Sequence, residues 1–179
     1  MEQCSLCDAN LGPVVAESTY WRLILNKNQD LLGKCFLALR RHLEVVPQLS
    51  PAEWADLHKQ LAQATQMLSL VFQPDHFNYA FLQNQDRHIH LHIIPRYDEP
   101  RVFAGVTFDD PDYPSHYAVP APSRYLTQDQ FTALAEQLRQ FFAETVVDKK
   151  QQKRGAARSG KGLLHGWEGV LIMVSRPPT

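Results

Sequence analysis

Three histidines stand at alternate positions in this chain, His88-Ile89-His90-Leu91-His92, with Ile93-Ile94-Pro95-Arg96 directly after them. In an extended strand successive side chains point to opposite faces, so the imidazoles share one face while Ile89, Leu91 and Ile93 turn to the other. A strand otherwise favours β-branched and aromatic residues, and a buried imidazole needs hydrogen-bond partners, so the row reads as a site. An intermediate alternative is a three-histidine metal site that activates water. Three solvated histidines on an edge strand are the bland alternative. A second spacing carries chemistry as well. Cys4-Ser5-Leu6-Cys7 is metal-knuckle spacing, which in a reducing compartment is half of a zinc site or a redox pair.

The histidine row resembles the histidine-triad superfamily of nucleotide hydrolases and transferases, whose pattern is His-φ-His-φ-His-φ-φ with φ apolar. All seven positions agree, and the likeness covers roughly residues 1–145. The resemblance implies that His90 is the nucleophile that attacks the α-phosphorus of a nucleotide, and the residue suits the role because a neutral imidazole is available at physiological pH. It makes His92 the phosphate contact and proton donor to the leaving group. It also implies a structural zinc held by Cys4, Cys7, His42 and His88, a Cys₂His₂ set that would tie the N-terminal tail to the nucleophile strand. The chemical step itself would then need no metal. Cys35, inside an apolar run, reads as a buried small hydrophobe.

Substrate contacts follow from the same likeness. Ile24-Leu25-Asn26-Lys27 and Leu39-Arg40-Arg41 stand where the fragile-histidine branch has its ribose-binding segment, which makes Asn26 the ribose candidate against an ordinary turn asparagine. Many members carry Ser or Thr five residues before the nucleophile, where this chain has Gln85 preceded by Asn84. An amide can donate to a phosphate oxygen but cannot relay a proton as a hydroxyl does. Arg96 either reaches the phosphates or caps the strand end in a structural pair. The implied reaction is hydrolysis of a dinucleoside polyphosphate or a nucleoside phosphoramidate through a nucleotidyl-His90 intermediate. Nucleotidyl transfer or phosphorolysis through the same intermediate is the closest rival, and a nucleotide-binding regulatory protein with little turnover is a third reading. Homodimerisation, with two sheets joined edge to edge, is common in the compact branches of the superfamily.

The elements that must position these residues are legible in outline. Tyr20 to Asn26 and Gly33 to Arg40 read as strands around the polar Lys27-Asn28-Gln29-Asp30. Ser50-Pro51-Ala52-Glu53 opens a helix with an N-cap, a first-position proline and a capping-box glutamate. That helix carries Trp54, Leu57, Leu61, Ala64, Leu68 and Val71 as its apolar stripe. Phe77 to Gln83 and His88 to Pro95 form a second hairpin around Asn84-Gln85-Asp86-Arg87. The segment after Arg96, with five prolines up to Pro122, reads as an ordered loop or lid, and Thr127 opens a second helix carrying Phe131, Leu134, Leu138 and Phe141. The order predicts an α+β fold, an antiparallel meander sheet with helices packed on one face.

At 179 residues, with a formal charge of −1 and 44% hydrophobic residues, the chain is one domain with an ordinary core. Such a charge points to no specific nucleic-acid partner, and no apolar run approaches the roughly 20 residues of a membrane helix. Three cysteines do not make a disulfide framework, so a cytoplasmic location is expected. From Asp148 onward seven Lys or Arg stand against two Asp or Glu, so residues 146–179 read as a basic, glycine-containing tail beyond the 1–145 domain, largely without fixed structure.

Overall fold

A computed structural model of the chain describes residues 4–7 and 12–156. Five strands form one sheet: β1 (Val14–Glu17), β2 (Trp21–Leu25), β3 (Cys35–Leu39), β4 (His76–Ala80) and β5 (His90–Arg96). Their spatial order is β1-β2-β3-β5-β4, and every neighbouring pair is antiparallel. The class is the α+β architecture expected, with one difference from a strict meander: β5 inserts between β3 and β4, which leaves β4 at the edge. The short first strand is an addition to the expected set.

Alternation sorts the sheet into two unlike faces. Leu23, Leu25, Leu37, Leu39, Leu91 and Ile93 enter the main core, where Leu57, Ala64, Met67 and Leu68 of α1 (Pro51–Phe72) and Leu134, Ala135 and Leu138 of α2 (Gln128–Ala156) meet them. Both helices thus cover one face. On the other, Ile24, Phe36 and Ala38 form a small separate cluster capped by Leu6 of the N-terminal turn. The histidines belong to this second face.

Helix α1 starts as its sequence dictates. Ser50 Oγ accepts from the Glu53 amide at 3.3 Å and the Glu53 carboxylate accepts from the Ser50 amide at 2.7 Å, a complete capping box. The Arg41 guanidinium grips the same carboxylate at 2.6 and 3.0 Å and holds its pKa down to about 2. Trp54 departs from the expected stripe: it is 42% exposed and lies edge-on to Phe81. Met67 and Phe72 take the buried places instead. At its C-terminal end the helix packs so closely on Gly33 (φ +82°) that a Cβ there would lie 2.6 Å from the Phe72 ring.

The proline-rich segment contains regular structure that its composition hides. A small hairpin, β6 (Arg101–Phe103) and β7 (Val106–Phe108), turns at Ala104 and Gly105, both at positive φ as a two-residue hairpin requires. Arg101 is buried and donates to the carbonyls of Phe72 and Gln73, closing the end of α1. Helix α2 continues past residue 145 to Ala156, and the rest of the expected tail, 157–179, lies outside the described residues. No described helix is long and apolar enough to cross a membrane.

Candidate active site

The ladder between β3 and β5 places Ala38 opposite His90 and Phe36 opposite His92. Both imidazoles therefore emerge beside the Phe36 ring, whose centroid lies 5.9 Å from that of His90 and 6.2 Å from that of His92. The two histidine rings are 4.7 Å apart, with their Nε2 atoms at 3.1 Å. His90 Nδ1 lies 2.8 Å from the backbone carbonyl of His88. A carbonyl can only accept, so Nδ1 carries the proton and the lone pair sits on Nε2, facing His92. The Nε2–H of His92 donates to that lone pair. Burial, reinforced by His90 and by the Lys34 ammonium, lowers the His92 pKa to about 4, so this ring is neutral near pH 7.

The third histidine goes elsewhere. The ladder begins only at His90, and His88 lies before the strand, because the peptide of Ile89 turns its N–H to Leu43 O and its carbonyl to Leu39 N. The imidazole of His88 is buried, with Nε2 donating to Leu39 O at 2.7 Å and Nδ1 lying 3.3 Å from Cys4 Sγ and 3.5 Å from Cys7 Sγ. His42 Nδ1 is 3.5 Å from Cys7 Sγ, and its Nε2 faces Glu44 at 3.4 Å. The donor atoms of Cys4, Cys7, His42 and His88 all lie within 4.8 Å of one another. Tetrahedral zinc, with bonds of about 2.0–2.3 Å, separates its ligand atoms by roughly 3.3–3.8 Å, so the four residues fit that ion. Each imidazole also has the outer hydrogen bond that fixes a ligating tautomer. The turn Cys4–Cys7 is held down by Leu6 in the Ile24–Phe36–Ala38 cluster and by Ser5 on Asp86.

The remaining candidates separate. Asn26 closes β2, and its side-chain oxygen accepts from the Asn28 amide at 2.9 Å, an Asx turn. Asn84 and Gln85 lie exposed in the loop that leads into His88, and no hydrogen bond to a described residue occupies their amides. Arg96 is not brought to the histidine pair. It is buried, with two bonds to Asp110 at 2.6 and 3.1 Å and one to Asn78 at 2.7 Å, the structural pair of its two readings. Cys35 is fully buried in the core, as expected, and burial pushes its thiol pKa up.

Sequence reasoning missed Lys34. It lies just before β3, on the side of Phe36 and Ala38, is only 4% exposed, and pairs with Asp30 while Tyr117 OH bonds both. Burial pulls its pKa down against the opposing Asp30 carboxylate. A charged residue at the head of the apolar run Cys35-Phe36-Leu37-Ala38-Leu39, with the parity of the site face, was the available signal. A cavity of about 200 Å³ beside this network is lined by Asp30, Asp109, Asp110 and Asp112. It includes neither His90 nor His92, and Asp30, Asp109 and Asp110 are each paired there with a cation, Lys34, Arg124 and Arg96.

Structures of known proteins share this fold. A histidine-triad nucleotide-binding protein of Sulfolobus tokodaii superposes with a TM-score of 0.60 at 18% identity over 89% of this chain and 100% of its own. A histidine-triad protein of Marinobacter aquaeolei gives 0.61 at 20% identity over 74% and 89%. The chain has the fold of the histidine-triad proteins. A zinc-bound histidine-triad protein of Mycobacterium smegmatis is also similar, with a TM-score of 0.51 at 17% identity over 78% and 89%. By sequence, no family model and no curated protein matches the chain.

Proposed function

We propose that the chain is a nucleotide hydrolase that cleaves at an α-phosphorus through a covalent nucleotidyl-His90 intermediate. The observation that carries this reading is the bond from His90 Nδ1 to the His88 carbonyl, which leaves the Nε2 lone pair directed out of the backbone. On substrate binding, the His92 Nε2–H exchanges the His90 lone pair for a phosphate oxygen. His90 Nε2 then forms the P–N bond as the bond to the leaving group breaks with its electron pair. Water attacks the same phosphorus, the P–N bond opens, and nucleoside monophosphate leaves. A polyphosphate departs as an anion without needing a proton near neutral pH, whereas an amine must be protonated, and neutral His92 is a weak acid. This favours a dinucleoside polyphosphate over a phosphoramidate. Asn26, Asn84 and Gln85 remain the proposed contacts to the ribose and phosphates.

A three-histidine hydrolytic metal site is disfavoured by the donor geometry, since His88 Nδ1 belongs to the cysteine cluster and points away from the other two rings. The Cys4, Cys7, His42 and His88 set would hold zinc in a structural role, tying three stretches of chain together. Thiolate ligands require reducing surroundings, which supports a cytoplasmic location. Diadenosine tetraphosphate, with and without excess inorganic phosphate, tests the function. AMP plus ATP from the wild type and neither from His90→Asn is the expected result. ADP plus ATP formed only with phosphate would make the protein a phosphorylase through the same intermediate. Equal rates from both proteins would overturn the role of His90, and no product together with a melting temperature raised by AMP would leave a binding protein.

A further inference from the structure

We propose that residues 109–124 are a brace that aims Asn26 at the ribose of the substrate, with Asn28 as the positioning residue between the two. The inference rests on the nucleotide reading of the His90 site and concerns what gives that site a preference for ribonucleotides.

Asn26 follows β2, is half-buried, and donates its backbone amide to Lys34 O at 3.1 Å. Lys34 stands four residues before Ala38, the partner of His90, so about 13 Å of extended chain separates them. A nucleotide joined to His90 and lying along β3 can cover that span. The loop from Asn26 to Lys34 is held from within by Gln29, which is fully buried. Its side chain donates to the carbonyls of Asn26 and Lys34 at 2.6 and 2.8 Å and accepts from the Gly33 amide at 2.9 Å. Those bonds fix the main chain of the loop, whereas the Asn26 side chain has another support.

The Asn26 Oδ1 accepts from the Asn28 amide at 2.9 Å. The Asn28 side chain is itself clamped at both polar atoms: Nδ2 donates to Pro122 O at 2.8 Å, and Oδ1 accepts from the Arg124 amide at 2.7 Å. The next two residues lean on the same segment, since the Gln29 amide donates to Arg124 O at 2.8 Å and the Asp30 carboxylate accepts from Tyr117 OH at 2.7 Å. The segment forms no helix or strand between β7 and α2, and the Asp110–Arg96 pair anchors its start. With Oδ1 taken, the amide nitrogen is the group Asn26 offers to a ligand, a donor suited to a ribose hydroxyl oxygen. A flipped amide would set two N–H donors face to face, so the clamped Asn28 N–H selects this orientation.

The test measures calorimetric affinities of the full chain for AMP and for 2′,3′-dideoxy-AMP, which lacks both ribose hydroxyls, beside turnover of diadenosine tetraphosphate. The wild type should bind AMP about tenfold more tightly, the worth of one hydrogen bond. Asn28→Ala keeps the main-chain donor but frees it from Pro122 and Arg124. There the preference should fall to about twofold through weaker AMP binding alone, with kcat little changed. Tyr117→Phe, which removes the bond to Asp30, should lower it in the same direction. Asn26→Ala should abolish the preference, and adding Asn28→Ala to it should change nothing further, a result that general loosening of the fold would not reproduce. If Asn28→Ala fails to fold, Asn28→Asp replaces it, retaining the acceptor for Arg124 and losing the donor to Pro122, with the same expectation. A wild type without the preference, or a folded Asn28 variant that keeps it, overturns the role of the brace while His90-dependent turnover stands. Absence of both nucleotide binding and turnover sinks the nucleotide reading and the brace with it.

Discussion

A lysine ammonium sealed against one carboxylate is costly to break and cheap to replace as a pair. Removing it in Lys34→Met strands Asp30 beside the Tyr117 hydroxyl, and urea denaturation should show a loss of about 3 kcal/mol. Lys34→Met with Asp30→Leu should recover most of that loss. His92 makes a second prediction, in pH. Its folded pKa of about 4 lies below the ordinary imidazole value of about 6.5, so between the two the unfolded chain binds a proton that the folded chain refuses. Stability therefore falls as pH drops through that window and gains no further loss from this group below it. Urea midpoints at pH 7 and 4.5 should differ less in His92→Gln than in the wild type. Residue-scale legibility followed distance along the chain. The alternation of His90 and His92 and the Cys4–Cys7 spacing are local patterns that survive without tertiary knowledge. Arg96 carries no local mark of its pairing with Asp110, and Lys34 meets Tyr117 from 83 positions away.

Gly33 shows how a helix and a strand constrain one another at the level of elements. At φ +82° with Phe72 against its Cα, Gly33→Ala adds both backbone strain and a clash, and should cost at least about 2 kcal/mol by thermal or chemical unfolding. Both helix starts were readable because Ser50 with Glu53, and Thr127 with Gln130, form their caps within four residues. β1 was not, since it is short and its register to β2 shifts between Val14 and Ala16. The strands of the β6–β7 hairpin are three residues each, too brief for alternation to show, although Gly105 marks the turn. The insertion of β5 between β3 and β4 is decided by long-range pairing that no local pattern encodes. Residue His88 fell on the wrong side of a boundary for the same reason: its neighbour Ile89 bonds to Leu39 and Leu43, far away in sequence.

Across the whole molecule, β4 ends the sheet with its outer backbone unpaired among the described residues, and Tyr79 on it is 44% exposed. Such an edge invites a second copy, in keeping with the homodimer expected from the resemblance. Sedimentation analysis should find twice the chain mass for the wild type and a monomer for Tyr79→Asp; a monomeric wild type would refute the pairing. The sheet face carrying His90 and His92 has a further consequence. The buried cations on it, Lys34 and Arg96, are each already neutralised by a carboxylate, Asp30 and Asp110. Little unbalanced positive field is left to draw a polyanion in from a distance, so recognition must come from short-range donors once contact is made. Raising sodium chloride from about 50 to about 500 mM, which shortens the screening length several-fold, should then change KM for a polyphosphate substrate by less than about threefold. An enzyme built this way would work at much the same pace in dilute and in concentrated electrolyte.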